Sequence, residues 1–332
     1  MNKPLVAALA TLALVGTSIS TAAAVQADPA HADPVHAPGS PTRTVSVHRA
    51  PTGAARTDTV RANTARTGTT RTGTTRTGTT RTGTAPRAAT DFSGIVALDD
   101  CSGSLIRVPA SSDNDPALVL TNGHCLESGM PTAGQVIVNQ ASSRTFTLLK
   151  SNAAKAGTLR ATKVDYATMT DTDITIYQLN TTYAQIEQRY GVKPLTLSPD
   201  HPAAGTSIAV VSGYWKTVYA CGIDGFAYQL HEADWVWKDS VRYTSACHTI
   251  GGTSGSPVED VATGQVVAVN NTLNEDGQRC SLDNPCEVDQ NGQVTVHEGI
   301  GYAEETYGIV PCVAQGNTID LSLPGCTLPK PS

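Results

Sequence analysis

Beyond Asp91 the chain reads as short apolar or alternating runs separated by Gly, Asn, Asp and Pro. Gly94–Leu98, Ser104–Val108, Ala117–Leu120, Val136–Val138, Thr145–Leu149, Ile174–Leu179, Ser207–Val211, Trp235–Trp237 and Val266–Val269 all have strand length, with turn residues between them. Thr182–Tyr190 departs from this pattern. Thr182 and Gln185 suit a capping box, Ile186 and Tyr190 share a face, and Gly191 suits a helix stop. The pattern predicts one short helix in an otherwise all-β body of sandwich or barrel type over residues 91–332.

The first 90 residues carry no such pattern. Met1-Asn2-Lys3, an apolar run from Leu5 to Val15 and small residues ending at Val25-Gln26-Ala27 have the order of an export signal over residues 1–27. Residues 28–90 consist mainly of Pro, Ala, Thr, Gly and Arg, and the pentapeptide Arg66-Thr67-Gly68-Thr69-Thr70 repeats from Arg71, from Arg76 and, ending in Ala85, from Arg81. A five-residue period fits neither a helix nor a solenoid, and a segment with so little apolar bulk cannot offset its ordering entropy. Disorder is expected there, with a solvated stalk or a removable pro-segment as the two readings.

The whole chain has 332 residues with 23 basic and 29 acidic side chains, unevenly divided. Lys3 gives residues 1–27 a charge of +1, nine Arg against three Asp give residues 28–90 +6, and 13 basic against 26 acidic groups give residues 91–332 −13. An acidic body argues against nucleic acid as the main partner. No stretch after the leader reaches the roughly 18 apolar residues of a membrane helix, so a secreted, extracellular protein is expected. All eight cysteines (Cys101, Cys125, Cys221, Cys247, Cys280, Cys286, Cys312, Cys326) lie beyond residue 100, and an even number in an exported chain favours disulfides over free thiols or zinc.

Three segments carry residues capable of chemistry. Leu118–Cys125 is an apolar strand running into a turn that presents His124, and a neutral imidazole there can take up and return a proton near neutral pH. Asp173 stands at the mouth of the alternating run Ile174–Leu179, where a carboxylate can hold an imidazole in one tautomer. Gly251-Gly252-Thr253-Ser254-Gly255-Ser256-Pro257-Val258 permits a tight turn that exposes a hydroxyl and aims backbone N–H groups at one point. Taken singly, each is better explained as a structural histidine, a turn Asp and a Gly/Ser loop. Zinc on His124 with Cys125 is disfavoured, because neighbours on extended backbone point opposite ways.

Together, in chain order, Cys101-Ser102-Gly103-Ser104-Leu105-Ile106, Asn122-Gly123-His124-Cys125, Asp173–Leu179 and Gly252-Thr253-Ser254-Gly255-Ser256-Pro257 resemble the chymotrypsin/trypsin family of serine peptidases over roughly residues 92–275. Ser254-Gly255-Ser256-Pro257 is most similar to the bacterial glutamyl-endopeptidase branch. The resemblance implies two six-stranded antiparallel β-barrels with the active site in the cleft between them. It implies Ser254 as nucleophile, His124 as general base and acid, Asp173 as orienting carboxylate, and the N–H groups of Gly252 and Ser254 as the oxyanion hole. It also implies a Cys101–Cys125 disulfide. For the other cysteines, sequential neighbours are the expectation: Cys221–Cys247, Cys280–Cys286 and Cys312–Cys326. Such an enzyme is expected to use no cofactor or metal, to act on polypeptides and to be a monomer.

Some features depart from the family. Thr253 stands where trypsin-like zymogens keep the Asp that receives a new amino terminus, and no Ile-Val-Gly-Gly start occurs near residue 91. His248 stands six residues before Ser254, where trypsin-like relatives place an acid for Lys or Arg, so basic side chains lack that partner. His248, Thr249 and Asn270 become the candidate substrate-binding residues, for an acidic or polar side chain, with a structural histidine beside Cys247 as the equal reading of His248. Trp235 and Trp237 share a strand face, expected as core with a cleft wall as the lesser reading. Ile319–Ser332 lacks the family's last amphipathic helix, leaving Cys312 and Cys326 as a replacement anchor. The leading function is a secreted serine endopeptidase, and the alternative is a non-catalytic protease-like binding module on a disordered stalk. An α/β-hydrolase esterase is set aside, because Gly-x-Ser-x-Gly and alternating strands and helices are both missing.

Overall fold

A computed structural model describes residues 91–332. The expected signal (1–27) and the Arg/Thr-rich segment (28–90) lie outside the described residues. The first part of the body contains β1 (Ile95–Ala97), β2 (Ser102–Arg107), β3 (Pro116–Thr121), β4 (Val136–Ala141), β5 (Thr145–Leu149), β6 (Lys155–Thr168), β7 (Ile174–Thr182) and β8 (Leu195–Thr196). Its antiparallel order β1-β5-β6-β7-β3-β2 closes on itself through β1 and β2. The second part contains β9 (Ser207–Ser212), β10 (Thr217–Glu232), β11 (Trp235–Tyr243), β12 (Pro257–Asp260), β13 (Val266–Leu273), β14 (Cys286–Val288), β15 (Val294–Thr295) and β16 (Gly301–Glu305). Here β11-β16-β13-β12-β9-β10 closes through β10 and β11. The fold is therefore all-β, two antiparallel barrels of chymotrypsin type.

The side-chain alternation of β3 explains how the barrels meet. Ala117 and Val119 point into the first barrel with Phe146, Leu148 and Tyr177. Leu118 and Leu120 point out of it, into a second apolar cluster shared with Val266 and Val269 of the other barrel. A strand buried on both faces reads as an unbroken apolar run, which is why Ala117–Leu120 shows no polar alternation. The second barrel has its own core, including Ile208, Val210, Val241, Val258 and Ala303. Each of the Ile and Val side chains contributes about 1.5–3 kcal/mol on full burial.

Four disulfides join Cys101 to Cys125, Cys221 to Cys247, Cys280 to Cys286 and Cys312 to Cys326, and no cysteine among the described residues is free. The last of them secures the C-terminal segment. Ile309 and Cys312 from the 3-10 turn Tyr307–Cys312, with Leu328, enter the cluster between the barrels. The Tyr166 hydroxyl donates to the Pro329 carbonyl at 3.0 Å, and the Ile319 amide donates to Asp165 Oδ2 at 2.9 Å. Without a final helix, this tail still closes over the first barrel through apolar contacts, those two bonds and others that Asn317 makes with Ser111, Pro116, Gln178 and Tyr183.

The helix α1 (Tyr183–Tyr190) has Thr182 as N-cap and Gly191 as C-cap, the latter at φ 67°. Thr182 Oγ1 accepts from the Gln185 amide at 3.3 Å, and Gln185 Oε1 accepts from the Thr182 amide at 3.1 Å. Tyr183 and Ile186 are buried in the first barrel's core, so the cap orients a helix that covers one barrel end. Thr182→Ala is expected to cost about 1 kcal/mol. Denaturant unfolding should show a lower midpoint with an unchanged slope; no shift of midpoint would mean the cap is not stabilising.

Candidate active site

The turn after β3 carries His124, and two features fix it. The Cys101–Cys125 disulfide ties its far side to the start of β2. Gly123 permits close approach of backbone, since a Cβ there would collide with the Thr168 carbonyl and stand 2.7 Å from Asp173 Oδ1. His124 consequently reaches Asp173 twice. Its amide donates to Asp173 Oδ1 at 3.0 Å, and its Nδ1 lies 2.7 Å from Asp173 Oδ2.

Asp173 is wholly buried, immediately before β7. An ionised carboxylate only accepts hydrogen bonds, so Nδ1 carries the ring proton and Nε2 keeps the lone pair. Burial alone would lower the pKa of His124. The charge and hydrogen bond of Asp173 outweigh it, with Glu232 and Asp100 adding to them, and hold the imidazole above its ordinary 6.5.

Ser254 comes from the loop between β11 and β12. Gly255 turns the chain there at φ 77°, and a Cβ on it would strike the Ser102 carbonyl and the Thr121 hydroxyl. The Ser254 carbonyl accepts from the Ser102 amide at 2.7 Å, which docks the loop on the first barrel. Asn122 makes the same connection from the other side. Its Nδ2 donates to the Asp173 carbonyl at 2.8 Å, while its Oδ1 accepts from the Gly255 amide. One buried amide thus links the segments that carry His124, Asp173 and Ser254.

His124 and Ser254 line one cleft of about 570 Å³. They are not hydrogen-bonded to each other: Ser254 Oγ donates to the Asn271 carbonyl at 3.2 Å. The Trp215 indole donates to the Gly251 carbonyl at 2.8 Å. Because carbonyl and N–H of a trans peptide point opposite ways, this turns the Gly252 N–H away from the indole. Neither the Gly252 nor the Ser254 amide is taken by another group among the described residues.

Buried Thr253 donates to the Ile250 carbonyl at 2.6 Å and accepts from Asn270 Nδ2 at 3.1 Å, and Asn270 Oδ1 accepts from the Tyr243 hydroxyl at 3.0 Å. This chain of side chains holds the turn where trypsin-like zymogens use a buried terminal ion pair. Of the three candidate substrate-binding residues, Asn270 lines the cleft, Thr249 is buried beneath the turn, and His248 is exposed outside the cleft lining. Trp235 and Trp237 both line the cleft while belonging to an apolar cluster with Met169.

Three neighbours carried no sequence signal. Asn271 supplies the carbonyl that Ser254 uses, and its Nδ2 donates to Glu304 Oε1 at 3.0 Å. Glu304 also accepts from Ser240 at 3.0 Å; burial, with the Asp173 charge adding to it, pushes its carboxyl up to about 8. Glu232 lines the cleft as well. As for metals, Cys101 and Cys125 lie beside His124 but are joined to each other and offer no thiolate. His201, Asp239 and Glu305 converge elsewhere, with His201 Nε2 at 3.2 Å from Asp239 and 2.9 Å from Glu305.

Comparison with known proteins adds the following. The model of a family described as trypsin-like peptidase domain matches residues 101–269. Among solved structures, the inactive form of the Rv3671c protease of M. tuberculosis is similar at 16% identity and a TM-score of 0.40, with 65% of this chain and 85% of that chain covered. The MamO protease domain of Magnetospirillum magneticum is similar at 14% identity and 0.39, covering 64% and 92%. The HtrA-type protease AlgW with a decapeptide is similar at 16% identity and 0.38, covering 62% and 48%. No curated protein matches the chain.

The Asn122 bridge has a stability consequence. Asn122→Ala takes the Asn122 donor from the Asp173 carbonyl, at about 1–3 kcal/mol, and leaves the Gly255 amide with its bond to the Asn270 carbonyl at 2.9 Å alone. Thermal unfolding of the variant should fall by several degrees, on a scale of roughly 2–4 °C per kcal/mol for a body of this size. An unchanged unfolding temperature would show that the bridge does not hold the loops together.

Proposed function

The chain belongs to the family of trypsin-like peptidase domains, and from that membership we propose that it is a secreted serine endopeptidase acting through an acyl-enzyme. The observation that carries the reading is His124, 2.7 Å from buried Asp173 on one side and sharing a cleft with Ser254 on the other. In this mechanism Ser254 Oγ leaves the Asn271 carbonyl, passes its proton to His124 Nε2 and attacks the scissile carbonyl carbon. Asp173 stabilises the imidazolium so formed. The tetrahedral oxyanion is met by the Gly252 and Ser254 N–H groups, each such donor typically lowering the barrier by about 2.7–4 kcal/mol. His124 then returns the proton to the leaving amine, and water, activated by the same imidazole, hydrolyses the acyl-enzyme.

Export is supported by the four disulfides and by the leader-like sequence of residues 1–27, with residues 28–90 as stalk or pro-segment ahead of a peptidase body at 91–332. The turn locked by Thr253 and Asn270 supports a body that folds directly into its working form. Likeness to the glutamyl-endopeptidase branch rests on Ser254–Pro257 alone. One observation favours the second reading, a non-catalytic binding module: the Ser254 hydroxyl is engaged by Asn271 instead of His124.

Labelling separates the two. A fluorophosphonate should attach to Ser254 alone, and Ser254→Ala should abolish both labelling and casein hydrolysis, a loss of about 10⁶-fold in turnover by analogy with triad enzymes. A disulfide-intact protein inert to both would favour the binding module.

The pH profile tests the base. His124 must be neutral to accept a proton, and its pKa is raised above 6.5, so kcat/KM should fall as pH drops through a value above 6.5. Asp173→Asn removes the main raising influence; it should move that limb to lower pH and lower the rate about 10⁴-fold. A limb unmoved by this substitution would assign the titration to another group.

A further inference from the structure

The cleft beside Ser254 is acidic in a way the sequence order hides. Glu232, the last residue of β10, pairs across the hairpin with Trp235 and turns its side chain into the cleft. It is only 5% exposed. Its Oε1 accepts from the Asp283 amide at 2.9 Å and the Thr272 hydroxyl stands beside the carboxyl, while Oε2 has no full hydrogen bond among the described residues. Glu275 and Asp283 line the same cleft, and among the described residues His124 is the only basic one that does. A buried carboxylate oxygen without a donor is costly unless a cation or donor arrives to meet it.

The walls near Glu232 suit a long aliphatic stem. Met130, Met169, Trp235 and Trp237 line the same cleft. Both indole N–H groups are already spent on backbone, Trp235 on the Pro131 carbonyl at 2.9 Å and Trp237 on the Met169 carbonyl at 3.1 Å. Apolar and aromatic surface is therefore what the indoles offer a ligand, and aromatic faces attract cations. A side chain with a methylene stem and a cationic head matches both the walls and the open oxygen.

Resting on the serine-peptidase reading, we propose that Glu232 is a specificity residue and that this cleft receives a lysine or arginine side chain of the polypeptide substrate. The acid is supplied from the end of β10, whereas the position six residues before the nucleophile holds exposed His248. Sequence motifs around Ser254 do not reveal it, because Glu232 comes from the hairpin that closes the second barrel.

The test cleaves a peptide library with the full chain and with Glu232→Gln, while fluorophosphonate labelling of Ser254 is followed on the unaltered protein. Glutamine keeps an oxygen for the Asp283 amide. The unaltered protein should enrich Lys or Arg at one position near the cut and prefer a Lys peptide over its norleucine counterpart about tenfold or more, the effect of one charged hydrogen bond. In Glu232→Gln that ratio should collapse towards one. Butylguanidinium should slow labelling of the unaltered protein while neutral butylurea does not, an arm that holds even if the variant fails to fold. Labelling at Ser254 with no preference for a cationic residue, or a preference that survives Glu232→Gln, overturns this assignment alone. Absence of labelling on the unaltered protein overturns the peptidase reading beneath it.

Discussion

The buried carboxylate of Asp173 is the constraint around which the rest is arranged. It has no water to solvate it, so its charge is tolerated only where donors surround it. His124 supplies two of them, amide and ring, and that requirement draws the turn after β3 against the start of β7. Gly123 is the local consequence, since any side chain there would sit where the carboxylate and the Thr168 carbonyl already are. The Cys101–Cys125 bond holds the other side of the same turn.

From this joint the link to the second barrel is short. Asn122 reaches the Asp173 carbonyl with one end of its amide and the Gly255 amide with the other. The Ser102 amide adds a second tie, to the Ser254 carbonyl. The apolar surface of Leu118, Leu120, Val266 and Val269 between the barrels supplies the driving force, and these polar contacts set the register. Neither would position a hydroxyl beside an imidazole alone, because apolar packing is non-directional and isolated polar contacts are weak in water.

The electrostatics of the site follow from unequal burial of several carboxyls. Glu304, buried near Asp173 and carrying bonds from Ser240 and Asn271, is pushed up to about 8, while Asp173 is the carboxylate that contacts the imidazole, at 2.7 Å. Glu232 is raised too, chiefly by burial, although Thr272, the Asp283 amide and His124 work the other way. The cleft therefore combines one imidazole held ready to accept a proton with an acidic wall that awaits a cation.

Much of this was legible in the chain. Short apolar or alternating runs and turn residues marked β1–β5, β7, β9, β11 and β13, and the Thr182/Gln185 pair with Gly191 marked α1, because burial, capping and turn geometry act between near neighbours. The long strands β6 and β10 escaped notice, since polar residues interrupt their apolar pattern and bulges shift their register. The partners of Asn122, the Asn271 carbonyl at Ser254, the exposed setting of His248 and the place of Glu232 in the cleft depended on the barrels closing. Local pattern tells a residue which way to face; which distant residue it then meets is set by strand pairing across long loops, and no short-range signal encodes that.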